Sequence, residues 1–262
     1  MKLLGIDVGA TKVGAGIVDT ESGEILERRR VPTAPDGRTV LDDCVGLARE
    51  LEAPAGGAGI GICELVSPDG SVTSAASVDW RGLDLDQAFG EFGPVTVESD
   101  VRAAAAAEAR HGAGRGESSM LFVGVGSGVS HTLVVDGRPL VGAHGEAIIF
   151  GAPPAEEVGS GHALARLAGA ESAEEVLADP AIGDLVEAGA RRVGEVLATL
   201  ANAMDPALVV IGGGLGAERR YFTLIAERAR ALAHAASLRI EPAALGPDAG
   251  LIGAALARAR ME

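Results

Sequence analysis

The segment Leu4-Gly5-Ile6-Asp7-Val8-Gly9-Ala10-Thr11-Lys12-Val13-Gly14-Ala15-Gly16-Ile17-Val18-Asp19 decides how the rest of the chain is read. It is an apolar strand, an Asp-x-Gly-x-Thr turn, and a second apolar strand leaving that turn. Such a turn gathers small residues, backbone N–H groups, a hydroxyl and a carboxylate at one point. Those are the groups needed to hold a metal-bound polyphosphate. A plain Gly-rich hairpin would account for the glycines equally well, so the reading needs support from elsewhere in the chain.

Repetition supplies that support. Two further glycine turns follow apolar strands, at Gly124 to Gly128 and at Gly212 to Gly216. Glycine lets the backbone come close to an oxygen with its N–H groups aimed at the ligand. The third turn lies between a strand and a helix, where a nucleotide can rest on the main chain. Hydrophobic spacing predicts strands at 3–9, 13–19, 24–31, 58–63 and 94–98, with helices at 38–52 and 100–111. A second block opens in the same way, with strands at 120–125, 130–135 and 138–141. Helices are expected at 157–168, 172–178 and 181–204, then a strand at 208–211, a helix at 218–236, a strand at 238–240 and a closing helix at 250–260. The repeated strand–glycine turn–strand opening implies two related α/β domains facing a shared cleft. The expected division is a first domain over 1–113, joined by the C-terminal helix 250–262, and a second over 114–249.

Composition narrows the function classes. Hydrophobic residues make up 47% of the 262 residues but aromatics only 3%, so the core must be built from Val, Ile, Leu and Ala. Few rings are left to stack on bases or sugars. A net charge of −15 repels nucleic-acid phosphates and anionic membranes. The run Arg28-Arg29-Arg30 reads as a solvated strand edge, and no apolar run reaches membrane-spanning length. Cys44 and Cys63 have no Cys or His partner at metal-ligand spacing, as expected of reduced thiols in the cytoplasm. Met1-Lys2 runs straight into the first strand without a signal sequence.

Asp100 stands where a strand ends and a helix begins. It reads either as a helix N-cap or as a general base that takes a hydroxyl proton while that oxygen attacks the terminal phosphorus of a nucleotide. His111, His162 and His234 fall on helical patterns and read as structural or surface residues. His131 follows the second glycine turn and reads as a packing residue.

Taken together, these motifs resemble the ROK family of sugar kinases, which includes bacterial glucokinases and N-acetylhexosamine kinases. Leu4 to Asp19 is similar to the family's first phosphate motif and Val123 to Val129 to its second. Glu98-Ser99-Asp100 with Ala103 to Glu108, followed by Gly112 to Gly116, resembles the Glu-Asn-Asp-Ala-Asn-Ala segment and the glycine stretch after it. Asp205-Pro206 to Leu215 resembles the adenosine motif, and Asp248 to Ala255 the C-terminal Ala-Gly-Leu-x-Gly-Ala-Ala helix. The resemblance implies an actin-like (ribonuclease H-like) two-domain ATPase fold, ATP with Mg²⁺, closure of two lobes, and a homodimer. It implies Asp100 as the base. Asp7, Gly9, Ala10, Thr11 and Lys12 become the first phosphate contact, with Asp7 reaching Mg²⁺ through water. Gly126, Ser127 and Gly128 would hold the β- and γ-phosphates, and Gly213, Gly214 and Leu215 the adenosine.

The departures from the family pattern concern the acceptor. The two glycines usual after the second turn are Ser130 and His131. Gly142-Ala143-His144-Gly145 is followed by Glu146-Ala147-Ile148-Ile149-Phe150-Gly151-Ala152. In that register the sugar-binding Glu becomes Ile149 and the zinc-binding His becomes Ala152. The Cys-rich loop is missing, so no zinc is expected. Glu156 matches the Glu beyond that loop. Family Asn positions become Ser77 (before Trp80), Ser99 and Arg102, and a small residue becomes Glu64. Glu64 and Arg102 form a mutual ion pair on one reading. On the other they meet the substrate, with Glu64, Asp79 and Glu156 suited to an amino group and Arg102 to an anion. His144 is a further candidate contact. The substrate-side residues are thus Glu64, Ser77, Ser99, Arg102, His144 and Glu156, and the expected acceptor is a sugar, amino sugar or related polyol rather than glucose. Two rivals are a catalytically degenerate, sugar-sensing member of the family and an actin-like filament or chaperone ATPase. The repressors of the family carry an N-terminal helix-turn-helix domain. This chain opens on the first strand, so DNA binding is not expected.

Overall fold

Leu3, Leu4, Ile6 and Val8 are all fully buried, so the first strand of the chain is covered on both faces and must lie inside a sheet. In the computed structural model, which describes residues 1–149, 153–235 and 237–261, that strand is β1 (Lys2–Val8). It is followed by β2 (Lys12–Asp19), β3 (Glu24–Pro32), α1 (Gly37–Glu50), β4 (Ala58–Ile62), the single turn α2 (Leu85–Ala88), β5 (Val95–Ser99) and α3 (Asp100–His111). Next come β6 (Ser119–Val125), β7 (Val129–Val135), β8 (Arg138–Pro139), α4 (Pro153–Gly159), α5 (Gly161–Ala168), α6 (Ala173–Ala178) and α7 (Gly183–Met204). The chain closes with β9 (Leu208–Gly212), α8 (Arg219–Leu232), β10 (Ile240–Pro242) and α9 (Ala249–Ala259).

The chain divides into two units. The first comprises Met1–His111, Val141–Ala147 and Asp248–Glu262. Its sheet has the order β3-β2-β1-β4-β5, with β1 antiparallel to β2 and parallel to β4, and β4 parallel to β5. The charged strand β3 is exposed along nearly its whole length, as suits a sheet edge. Asp36 caps α1 by accepting from the Thr39 N–H, and Val40, Leu41, Cys44 and Ala48 of that helix enter the core. On α9, small residues let backbone meet backbone. A Cβ added at Gly253 would stand 1.8 Å from the Ala103 carbonyl oxygen on α3, and one at Gly59 of β4 would stand 1.8 Å from the Ala254 oxygen. One at Gly5 of β1 would meet the Leu251 oxygen at 2.3 Å.

The second unit comprises Gly112–Leu140 and Ile148–Pro247, with a sheet in the order β10-β9-β6-β7-β8. Buried residues of β6 and β9 pack with Val186, Val193 and Leu197 of α7 and with Tyr221 and Ile225 of α8. The Tyr221 hydroxyl donates to the Gly159 oxygen at 2.7 Å. The helix expected over 157–168 is two helices. Ser160 breaks it by capping α5 at the Ala163 N–H, which frees Gly161 N–H to bind the Gly126 oxygen at 2.7 Å. A tertiary contact with the second glycine turn outweighs helix continuity there.

Replacing Gly253 with Ala forces α3 and α9 apart at a backbone contact that no side-chain rotation can relieve. The expected cost is about 1–3 kcal/mol, read as a fall in the urea midpoint. An unchanged midpoint would contradict the crossing described.

Candidate active site

In the first unit the register of the parallel strands gathers the acidic residues. Asp7, Gly61 and Glu98 are aligned across β1, β4 and β5, and so are Val8, Ile62 and Ser99. The chain therefore leaves the carboxyl ends of these strands at Gly9, Cys63 and Asp100, the edge where open α/β sheets bind ligands. The Gly9-to-Thr11 turn is closed by Gly9 N–H donating to the Lys12 oxygen at 3.0 Å. Thr33 braces it, its hydroxyl donating to the Gly9 oxygen at 2.7 Å and its N–H to the Thr11 oxygen at 3.1 Å.

Asp7 is half-buried, and a Cβ added at Gly250 of α9 would press on its carboxylate at 2.7 Å. Burial pushes its pKa up to about 6, against the pull of the Lys12 charge. A carboxylate held this far from its ordinary range gains from a cation beside it, so Asp7 suits a metal-bound polyphosphate. Asp100 opens α3 and accepts the Val101 N–H at 2.6 Å. Burial and then the charge of Asp7 push it up to about 7. The Val101 N–H and the Ser99 hydroxyl pull it down, and Glu64 adds to the rise. A carboxyl poised there can take a proton near neutral pH. The half-buried Cys63 thiol is pushed up to about 12 by burial and by Asp100.

The structure corrects the expected Glu64–Arg102 pair. Glu64, only 3% exposed, accepts the Ser74 hydroxyl and the N–H groups of Ala76, Ser77 and Val78, the last three at 2.8, 2.6 and 2.9 Å. Burial opposes its charge, and the four donors outweigh burial, so its pKa lies below the ordinary value. Arg102, 1% exposed, pairs instead with Glu98 at 2.6 Å. Asp79 is bound by Arg81, which holds it down at about 2. Ser99 is fully buried. Ser77 and His144 are both exposed, the first on the loop after β4 and the second on the 141–147 segment.

In the second unit the two glycine turns are neighbours. Gly124 of β6 pairs with Gly212 of β9, and Gly216 N–H donates to the Val125 oxygen at 2.8 Å. Gly126 N–H closes its own turn on the Gly128 oxygen at 2.9 Å, and His162 N–H reaches the Ser127 oxygen at 3.2 Å. Gly213 has φ +83°, and any Cβ there would lie 2.4 Å from the Val125 oxygen, so only glycine fits. Gly128, Gly213 and Gly214 are exposed and Leu215 is buried beneath them, which leaves a bare main-chain cradle suited to an anionic or planar ligand. Glu156 is exposed at the rim, with Oε1 accepting the Val129 N–H at 3.4 Å. Ile149 is 52% exposed and bridges Ser130. Ala152 lies outside the described residues. Among the described residues no group of three or more His, Cys, Asp or Glu is arranged to hold a metal. Among the described residues, too, no helix is long and apolar enough to cross a membrane.

Sequence reasoning missed Glu98 as the partner of Arg102, Thr33 as the brace of the first turn, and Gly250 as the seat of Asp7. A carboxylate four residues ahead of an arginine on the chain was the one available signal for the first.

This combination fits an α/β phosphotransferase: main-chain turns suited to an anionic ligand and a half-buried carboxylate at the end of a parallel strand. A model of the ROK family matches residues 3–161 and 155–260, and the chain belongs to that family. The glucokinase of Streptomyces coelicolor is 30% identical over an alignment 312 positions long, gaps included, covering 96% of each chain. A ROK family glucokinase from Streptomyces griseus, solved with glucose and AMPPNP, superposes with a TM-score of 0.86 at 27% identity, covering 97% of this chain and 98% of that one. The ROK hexokinase of Thermus thermophilus gives 0.78 at 31% identity, covering 98% and 97%. These neighbours share the actin-like architecture expected from the sequence.

A carboxyl whose pKa is raised on folding binds more protons in the native than in the unfolded state. Its contribution to stability therefore falls as pH rises from the ordinary 3.8 through about 7. Asp100→Asn should melt above the parent at pH 8, with the gap closing toward pH 4. Equal melting temperatures at pH 8 would show that Asp100 is not held up.

Proposed function

We propose that this protein transfers the terminal phosphoryl group of ATP to a hydroxyl of a neutral sugar or related polyol, with Asp100 as general base. The single observation that carries the reading is the half-buried Asp100 at the end of β5, pushed up to about 7 by burial and by a second half-buried carboxylate, Asp7. Family membership and the glucokinase relatives support the reaction class.

In the proposed reaction the acceptor oxygen attacks the γ-phosphorus, the bond to the β–γ bridging oxygen breaks, and ADP leaves. Asp100 takes the hydroxyl proton as the new bond forms. Asp7, Gly9, Ala10, Thr11 and Lys12 of the first unit would meet the phosphates, and Asp7 would be the residue that holds Mg²⁺. Gly126, Ser127 and Gly128 of the second unit cradle the β- and γ-phosphates, and Gly213, Gly214 and Leu215 the adenosine. Mg²⁺, when bound, neutralises charge on the phosphates. On the acceptor side, the exposed Ser77, His144 and Glu156 are the proposed substrate residues; the expected Ser99 is fully buried and is not one of them. Of the three carboxylates suited to an amino group, Glu64 and Asp79 are occupied by their own partners and Glu156 alone stays exposed, which favours a neutral acceptor over an amino-substituted one. With Ile149 in place of a carboxylate, hydroxyl recognition must differ from that of glucose by the family's Glu. The same reading carries a homodimer working in the cytoplasm.

A panel of sugars and cyclitols with ATP, scored by ADP release and by ³¹P NMR of the product, tests the proposal. One neutral acceptor should stimulate ADP release, and Asp100→Asn should lose about 10²–10⁴-fold in kcat. A fully active Asp100→Asn, or no acceptor-dependent release from the parent, would refute it.

A further inference from the structure

Among the described residues, Arg102 is the bulkiest that the fold buries outright, at 1% exposure. Its planar fork points three ways. Nε donates to Glu98 Oε1 at 2.6 Å, Nη1 to the Gly145 oxygen at 2.9 Å, and Nη2 to the Val66 oxygen at 2.7 Å. Glu98 neutralises the charge. The two carbonyls belong to segments 43 and 36 residues away in sequence. A second observation marks the same junction. Gly145 has φ +78°, and a Cβ there would fall 2.1 Å from the Val66 oxygen. The two segments therefore meet backbone to backbone at the point where the guanidinium bonds both.

Each segment matters for its position. Residues 141–147 belong to the first unit, although the chain on either side of them belongs to the second. The loop after β4 is held from its other end by Glu64, which collects the Ser74 hydroxyl and the N–H groups of Ala76, Ser77 and Val78. The loop is thus pegged at Val66 by a buried cation and at 74–78 by a buried anion. Two of the proposed acceptor-side residues, Ser77 and His144, ride on these two segments.

We infer that Arg102 is a positioning residue rather than a substrate ligand. It fastens the 141–147 segment and the 65–79 loop to the first turn of α3, two residues from Asp100, so that the acceptor-side surface is set before the acceptor arrives. This rests on the kinase reading above and deepens it. With its fork spent on protein acceptors and no exposed face, Arg102 has nothing to offer an anionic substituent, so it gives the acceptor surface no preference for a carboxylated sugar. Lysine cannot replace it, because a single ammonium does not reproduce three fixed directions.

The experiment joins hydrogen exchange with steady-state kinetics on Arg102→Lys, Gly145→Ala and the double variant. In Arg102→Lys, amides in 65–79 and 141–147 should exchange at least tenfold faster, with α1 and α7 unchanged. The acceptor KM should rise at least tenfold while the nucleotide KM stays within twofold. Gly145→Ala should do the same, and the double variant should be no worse than either single one, because all three break one junction. Unchanged exchange in a folded Arg102→Lys would overturn the inference. So would turnover of a carboxylated sugar in preference to its neutral parent, lost with Arg102. If Arg102→Lys does not fold, Gly145→Ala carries the exchange test. If neither folds, the parent decides it: protection of both segments supports the clamp, and its absence overturns it. Exchange is read without substrate, so a protected junction in a protein that phosphorylates no sugar would refute the functional reading alone.

Discussion

The first unit depends on how closely α9 lies against the sheet and α3. At Gly5, Gly59 and Gly253 no methyl group fits between backbone atoms. Interiors packed at this density deform little, so the helix has one place to sit. In that place Gly250 lies against the Asp7 carboxylate. The contact that seals the core therefore also removes water from the acid, and the acid in turn raises Asp100. The chemistry proposed for the site follows from helix packing.

Three carboxylates at one sheet edge come to different ends, and donor count separates them. Glu64 is the most deeply buried, yet with four donors it stays below its ordinary pKa. Asp100 is raised by burial first and then by the like charge of Asp7, with one main-chain donor at 2.6 Å too few to offset them. Asp7 is raised by burial, with only the Lys12 charge opposing. Hydrogen bonding fixes Glu64 as a permanent anion with a structural task. Its scarcity leaves Asp100 free to gain and lose a proton.

Much of this was legible in the chain. Continuous apolar runs mark β1, β4, β6 and β9, because strands covered on both faces must be apolar throughout. The glycine turns and Asp100 stand where their spacing put them. The site's internal wiring was not legible. Arg102 and Glu64 looked like each other's partners because both are new charges near Asp100. Apart from Glu98 and the Ser74 hydroxyl, their partners are main-chain carbonyls and N–H groups, which every residue carries, so no residue type announces them. The break at Ser160 was hidden because periodicity continues across it, while the bond that enforces it comes from Gly126. The return of 141–147 to the first unit has no compositional mark beyond its glycines.

The most direct measurement is a ¹³C-carboxyl NMR titration of Asp100 in the parent and in Asp7→Asn. The account predicts a midpoint near 7 in the parent and a clear fall once the neighbouring charge is gone. A midpoint at the ordinary 3.8, indifferent to residue 7, would contradict it.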